Sequence, residues 1–399
     1  MALESDRNNT RALVAAATML SAGLEGLSAF TSAAEWQLDR VSELRGAVRE
    51  KSEAWGWRGA NLAVPVGMVG YAAIIGLLCH GLGHGGDFRP DLYVTPFYAS
   101  YLLYAATLGA ILELRRRTGR LNRRLLLFFS ATWTPADLVG RMISALPFLL
   151  AFPIFMSSFT AAKNLLDDCL PFTWDQDLAS IGPTLLFGRH AWEWLDIKSP
   201  AITHALEFAY VFWGVLLVAV PFAVCLRRAD CRLRARFLVS YVLILVILGN
   251  VVAGLFMSAG PFWFHFTGGH DPEFGGLFSY LAQTDPDSTL SALAFQTYLW
   301  KAHVQGITYL GTGISAFPSI HVAISTLYAL FAWRFGRVAR IASIAYLAAI
   351  IMGSIHLGWH YSADVLAGGF GAAAIYGIVG WVQNLRLGTT PRLYRPAIS

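Results

Sequence analysis

Two short stretches in the last quarter of the chain concentrate residues able to do chemistry. In the first, Phe317, Pro318, Ser319, Ile320 and His321 follow closely on Gly311 and Gly313. Proline lacks an N–H and suits the first turn of a helix, so a helix is expected to start there, with His321 in that turn. Its free backbone N–H groups and positive dipole end make an anion site, and the Ser319 hydroxyl adds one more donor. In the second stretch, 353–364, His360 and Asp364 stand four residues apart. On a helix that spacing puts both on one face. The carboxylate can then accept a hydrogen bond from one imidazole nitrogen and leave the other unprotonated. The result is a nucleophile with an orienting acid. Two histidines, a carboxylate and an anion-binding helix start suit in-line attack on phosphorus. His360 would take the phosphoryl group, Asp364 would hold and charge-stabilise the ring, and His321 would protonate the departing oxygen. The plainer alternative is that each histidine is a buried group satisfied by its neighbours in a helix bundle.

Such residues need elements to bring them together, and the composition says which. Of 399 residues 56% are apolar and only 14% charged, and the mean hydropathy is +0.51. Too few polar side chains exist to cover a water-soluble globule, and a 14% aromatic content excludes disorder. A membrane helix needs roughly 20 mostly apolar residues to cross about 30 Å of hydrocarbon. Eight stretches qualify, near 60–82, 91–114, 141–163, 203–226, 237–257, 319–334, 338–357 and 363–383. The expected fold is all-α, a polytopic membrane helix bundle of about eight transmembrane helices. The sixth stretch is short and is expected to begin inside a protein-lined cavity.

The formal charge of +5 comes from 26 arginines and four lysines, and the arginines gather in every second connection. Arg115, Arg116, Arg117, Arg120, Arg123 and Arg124 join spans two and three. Arg227, Arg228, Arg232, Arg234 and Arg236 join four and five, Arg334, Arg337 and Arg340 join six and seven, and Arg386, Arg392 and Arg395 follow span eight. These segments are expected in the cytoplasm, with both termini, and the intervening loops outside. The start of span six and the end of span seven then fall on one extracytoplasmic face, where His321 can meet His360. The basic excess reads as topology and makes no case for nucleic acid.

Other residues carry weaker signals. No cleavable signal sequence is evident, and 11–30 reads as an interfacial or packed helix. Cys79 and Cys169 fall near the outer side and could pair, while Cys225 and Cys231 fall on the reducing side. His80, His84 and Asp87 have a ligand-like spacing, but Gly81, Gly83, Gly85 and Gly86 argue against a rigid helix there. His204 and Glu207 read as a hydrogen-bonded pair and Lys163 as a side chain that snorkels to the interface. Trp192, Trp194, Trp263, Trp300 and Trp359 read most simply as an aromatic belt, with the border of a lipid entry gap as the alternative for any of them.

On the residues 318–321 and 360–364 the sequence resembles the type-2 phosphatidic acid phosphatase superfamily, whose second motif reads Pro-Ser-Gly-His and whose third ends in His with Asp four residues later. It looks more like the inositol phosphorylceramide synthase branch, because Phe317 and Ile320 fit a Phe-Pro-Ser-aliphatic-His segment and Ser354 stands where the third motif's Arg would be. The resemblance is specific over about 311–370. It implies a six-helix catalytic core (141–383) with external loops at 164–202 and 258–318. Around that core lie an N-terminal cytoplasmic or interfacial segment (1–58), two accessory transmembrane helices with a basic loop (59–140) and a basic cytoplasmic tail (384–399).

One departure stands out: the first motif, Lys followed at a distance by Arg-Pro, is absent, and residues 258–263 stand in its place. Lys301, His303 and His356 are the candidates to bind the phosphate instead, beside Ser319. The resemblance implies an integral membrane phosphotransferase that moves a phosphate-containing headgroup from or to a lipid through a phosphohistidine. The acceptor would be a polar alcohol or water, with no cofactor and no metal. A lipid phosphate or polyprenyl (di)phosphate phosphatase, and a non-enzymatic lipid-binding or transport protein, are the alternatives.

Overall fold

Residues 62–118, 135–227, 231–268, 272–284 and 291–386 are described by a computed structural model, and every regular element among them is helical. The segment expected over 1–58, most of the basic connection between spans two and three, and the tail after 386 lie outside the described residues. Among the described residues seven helices are long and apolar enough to cross a membrane: Leu62–Gly81 (α1), Val94–Thr118 (α2), Pro135–Cys169 (α3), Pro200–Cys225 (α6), a span opening at Cys231–Leu243 (α7), Arg337–His356 (α11) and Ser362–Arg386 (α12). The protein is thus a multi-pass integral membrane protein. Helices close every backbone hydrogen bond within the segment, the condition for life in hydrocarbon.

The remaining helices are shorter. Asp175–Leu185 (α4) and Ala191–Leu195 (α5) connect α3 to α6, and Pro272–Thr284 (α8) and Ala292–Gln305 (α9) lie between α7 and Ile320–Ala332 (α10). With a closing 3-10 turn, α10 is apolar but short, spanning Ile320–Phe335, as expected of the sixth stretch. Past Leu243, α7 continues as a π-helical run, Ile244–Val252, and a last turn, Ala253–Leu255.

The centre of the bundle is aromatic. Phe152 and Phe155 of α3, Phe237 and Tyr241 of α7 and Phe331 of α10 are fully buried; Phe152 meets Tyr241 at 5.8 Å between ring centroids and Phe237 meets Phe331 at 4.6 Å. Between helices already in lipid such packing is dispersion more than water release, so close fit decides the arrangement. The last three spans form a sequential set in which α10 packs on both α11 and α12. The start of α10, the end of α11 and the start of α12 share one end of the bundle. Arg334, Arg337 and Arg340 occupy the other, where Arg236 donates to the Tyr376 carbonyl of α12.

The closest approach is at Gly368 of α12. A Cβ there would lie 2.3 Å from the Ser319 carbonyl oxygen. This glycine lets α12 run directly under the beginning of α10, and the Ser319 N–H donates to the Asp364 carbonyl at 3.0 Å. Among the described side chains Cys79, Cys169 and Cys225 are free thiols, so Cys79 and Cys169 do not pair.

Gly368→Ala should lower the unfolding temperature in detergent, with about 1–3 kcal/mol lost to the forced backbone shift. Gly377→Ala on the same helix, where nothing lies within 4 Å, should leave it unchanged. An unaltered Gly368→Ala protein would show that the α10–α12 contact is looser than described.

Candidate active site

The two histidines converge. His321 sits in the first turn of α10, and its ring centroid lies 5.8 Å from that of His360. At that separation both rings can reach one group held in the cavity that the two residues line together. Tyr210 and Trp213 of α6 pack on the His321 ring at 4.6 and 4.3 Å between centroids, and Tyr210 is itself anchored through its hydroxyl to Ser354. Aromatic faces on an imidazole fix its plane while leaving its edge nitrogens to other partners.

The helix start differs from the expectation in detail. Ser319, not Pro318, marks it: Ser319 is the N-cap, its hydroxyl accepts from the Val322 N–H, and the side chain is fully buried. Serine is strongly preferred at this position because its oxygen satisfies an otherwise orphaned N–H. The hydroxyl expected to touch substrate is therefore engaged within the helix, and Ser319 is absent from the cavity wall.

His360 and Asp364 also meet by a different route from two positions on one helical face. His360 and Tyr361 precede α12, and Asp364 lies in its first turn. The Asp364 carboxylate accepts from the Tyr361 N–H at 2.9 Å, the reciprocal half of a capping box, and its Oδ2 lies 3.5 Å from His360 Nδ1. Asp364 is completely buried, whereas neither ring nitrogen of His360 has a hydrogen-bond partner. Catalytic contacts of this kind are commonly long before substrate binds.

A second carboxylate, missed in the sequence, locks this loop. Asp175 at the start of α4 accepts from the Ala259 and Gly260 N–H groups at 2.9 and 2.8 Å and from the Tyr361 hydroxyl at 2.8 Å. It is 1% exposed. Burial pushes its carboxyl up, against the pull of the three hydrogen bonds. Residues 258–260 also hold the approach to α10, since Ser258 accepts the Ala316 N–H through its carbonyl and the Phe317 N–H through its hydroxyl.

The histidines open into a cavity of about 420 Å³. Its wall is mostly apolar, with Met156, Phe159, Leu217 and Leu245 toward the bundle interior and Trp263 and Trp359 near the histidines. Two tryptophans assigned to a belt thus face the cavity. Of the four expected phosphate ligands, none lines it. His356 pairs with Thr203 at 2.9 Å, His303 lies 3.0 Å from Asp167, and Lys301 is exposed on α9. The Asp167 carboxylate holds His303 above its usual value. The cation that does line the cavity is Lys163. Its signal was in the sequence: an ionisable side chain inside an apolar span is a functional candidate by default.

Two other clusters lie apart from the histidines. His204 and Glu207 form the expected pair at 3.2 Å. His84 lies 3.3 Å from Asp87 and 3.4 Å from Asp168, a residue the sequence did not connect with it, while His80 is exposed, with its ring beside Gly85, and is not part of the cluster.

A helical membrane bundle whose last three helices bring two histidines and a carboxylate to one cavity defines a recognisable class. The chain belongs to the PAP2 superfamily: the family model matches residues 176–378, just over half of its length. That span contains His321, His360 and Asp364 and begins beyond Lys163. No curated protein and no solved structure matches the chain. Membership and the membrane helices together make this a membrane protein of lipid phosphatase or phosphotransferase type.

Asp175→Ala should strand three buried donors and destabilise the protein by about 1–3 kcal/mol for each left unmet, with Asp175→Asn costing less because one acceptor oxygen remains. Since the folded carboxyl keeps its proton where the unfolded one, near 3.8, has lost it, stability contributed by this group falls as pH rises through that acidic window. Asp175→Asn should flatten the slope in thermal unfolding measured across it; an unchanged slope would refute the assignment.

Proposed function

We propose that the protein is an integral membrane phosphotransferase that moves a phosphate-containing headgroup from or to a lipid through a phosphohistidine on His360, similar to inositol phosphorylceramide synthase. The observation that carries this reading is His360 itself. Neither of its ring nitrogens has a hydrogen-bond partner among the described residues, it lines the cavity with His321, and the buried Asp364 carboxylate lies 3.5 Å from its Nδ1. The arginine-rich ends of the helices lie opposite the histidines, which supports a site on the extracytoplasmic face with both termini in the cytoplasm.

In the first half-reaction the His360 Nε2 lone pair forms the N–P bond as the P–O bond to the leaving group breaks, and His321 gives that oxygen its proton. Asp364 steadies the developing imidazolium through Nδ1, as the acid of a triad does. In the second, an alcohol or water gives its proton to His321, its oxygen bonds phosphorus, and the N–P bond breaks. A membrane-borne substrate is supported by the apolar wall, which reaches the exposed residues Val211, Phe295 and Leu310. Water as acceptor makes the same cycle a phosphatase.

His360→Ala should abolish turnover of phospholipid by the purified protein, and His321→Ala should lower it by on the order of 10²–10⁴. Asp364→Asn should be severely impaired. Activity should survive a chelator, since the chemistry is assigned to side chains alone. Mass analysis of lipid and released headgroup, with an acid-labile phosphate trapped on His360, is the deciding measurement. Full activity in the His360→Ala protein would end the proposal.

A further inference from the structure

The cavity wall contains a single lysine or arginine, Lys163, among the described residues. Its surroundings are built to hold it. Gly313 packs so closely that a Cβ there would lie 2.5 Å from the Lys163 Cβ and 3.0 Å from the Asn164 N. One residue on, Asn164 donates to the Thr308 and Thr312 hydroxyls at 2.7 and 3.1 Å. The backbone that carries Lys163 is thus stapled to the 308–314 segment, and the side chain enters the cavity from a fixed base. The nearest acid on its helix, Asp167, is occupied by His303 and by the Ile314 N–H. Glu207, the only carboxylate in the wall, is engaged by the Ala292 N–H and His204. The ammonium of Lys163 has no hydrogen-bond or ion-pair partner among the described residues.

A charge held in apolar surroundings without a partner is unfavourable unless something arrives to neutralise it. The charges facing the phosphorus position can be summed. Among the described residues Lys163 is the one lysine or arginine in the wall, Glu207 the one carboxylate, and Asp364 stands behind His360, so a single fixed positive charge is available to the substrate.

We propose that Lys163 receives the substrate phosphate, and that as the sole fixed cation in the cavity it selects a phosphate group with one negative charge, the diester linkage of a lipid headgroup, over a dianionic terminal monoester. This deepens the functional reading above and rests on it for the identity of the reacting centre. It also places the phosphate cation on α3, outside the family-matched stretch.

Binding can be measured apart from turnover in the His360→Ala protein. Phosphatidylinositol serves as the diester probe and phosphatidic acid as the monoester probe, in the same detergent micelles at neutral pH, where a monoester with a second pKa of about 6 is mostly dianionic. The diester should bind at least tenfold more tightly. Adding Lys163→Gln should weaken diester binding at least tenfold and erase the preference. The unliganded Lys163→Gln protein should unfold at the same or a higher temperature, because a neutral amide removes an unpaired charge; a lysine with only a structural role would lower it. The proposal is overturned by unchanged diester binding in Lys163→Gln, by equal or tighter monoester binding, by failure of both lipids to bind, or by destabilisation on substitution. Turnover surviving in His360→Ala would instead sink the nucleophile assignment and leave the binding result to stand alone.

Discussion

One buried aspartate, through its carboxylate and its backbone carbonyl, holds the beginnings of two helices together. Asp364 takes the Tyr361 N–H, stands behind His360, and through its own carbonyl receives the N–H of Ser319, the cap of α10. Helix starts carry unmet donors and a positive end, so an acid there is stabilised locally while it orients an imidazole. The separation of the two histidine rings follows from this joint and from the glycine contact beneath it, because neither α10 nor α12 can slide without breaking backbone hydrogen bonds in a setting without water to replace them.

The segments outside the spans are as much part of the site as the helices. Asp175 binds two consecutive amides of the 258–260 loop and the hydroxyl of the residue that follows His360. Ser258 in turn holds the residues that lead into α10. Three loops distant in sequence therefore share one hydrogen-bonded floor, and the rigidity needed to position a reacting group within a fraction of an ångström comes from it.

Much of this was legible in the sequence because its strongest signals are local. Hydropathy over 20 residues gave the helices, and the alternation of successive spans brings His321 and His360 to one end. What escaped depends on contacts between distant residues. Lys163 carries the same residue type and near-terminal position whether it snorkels or faces a cavity, and only the packing of Gly313 against its backbone distinguishes the two. Ser319 is equally suited to cap a helix or to touch a ligand, and the cap took it. His356 and His303 each lie on a helix whose polar partner, Thr203 or Asp167, comes from elsewhere. Tyr361 and Asp175 are 186 positions apart, and no spacing links them.

The π-helical run of α7 has a consequence for how the protein can change. Each residue added to or removed from a helix rotates everything beyond it by about 100°. Within this run Leu248 packs against Gly371 of α12, while Asn250, two positions on, accepts from Tyr71 of α1. The wide turns set both faces at once. Deleting one residue between 244 and 252 would restore ordinary pitch but swing one of these neighbours away from its partner, so the two contacts together fix the length of the run.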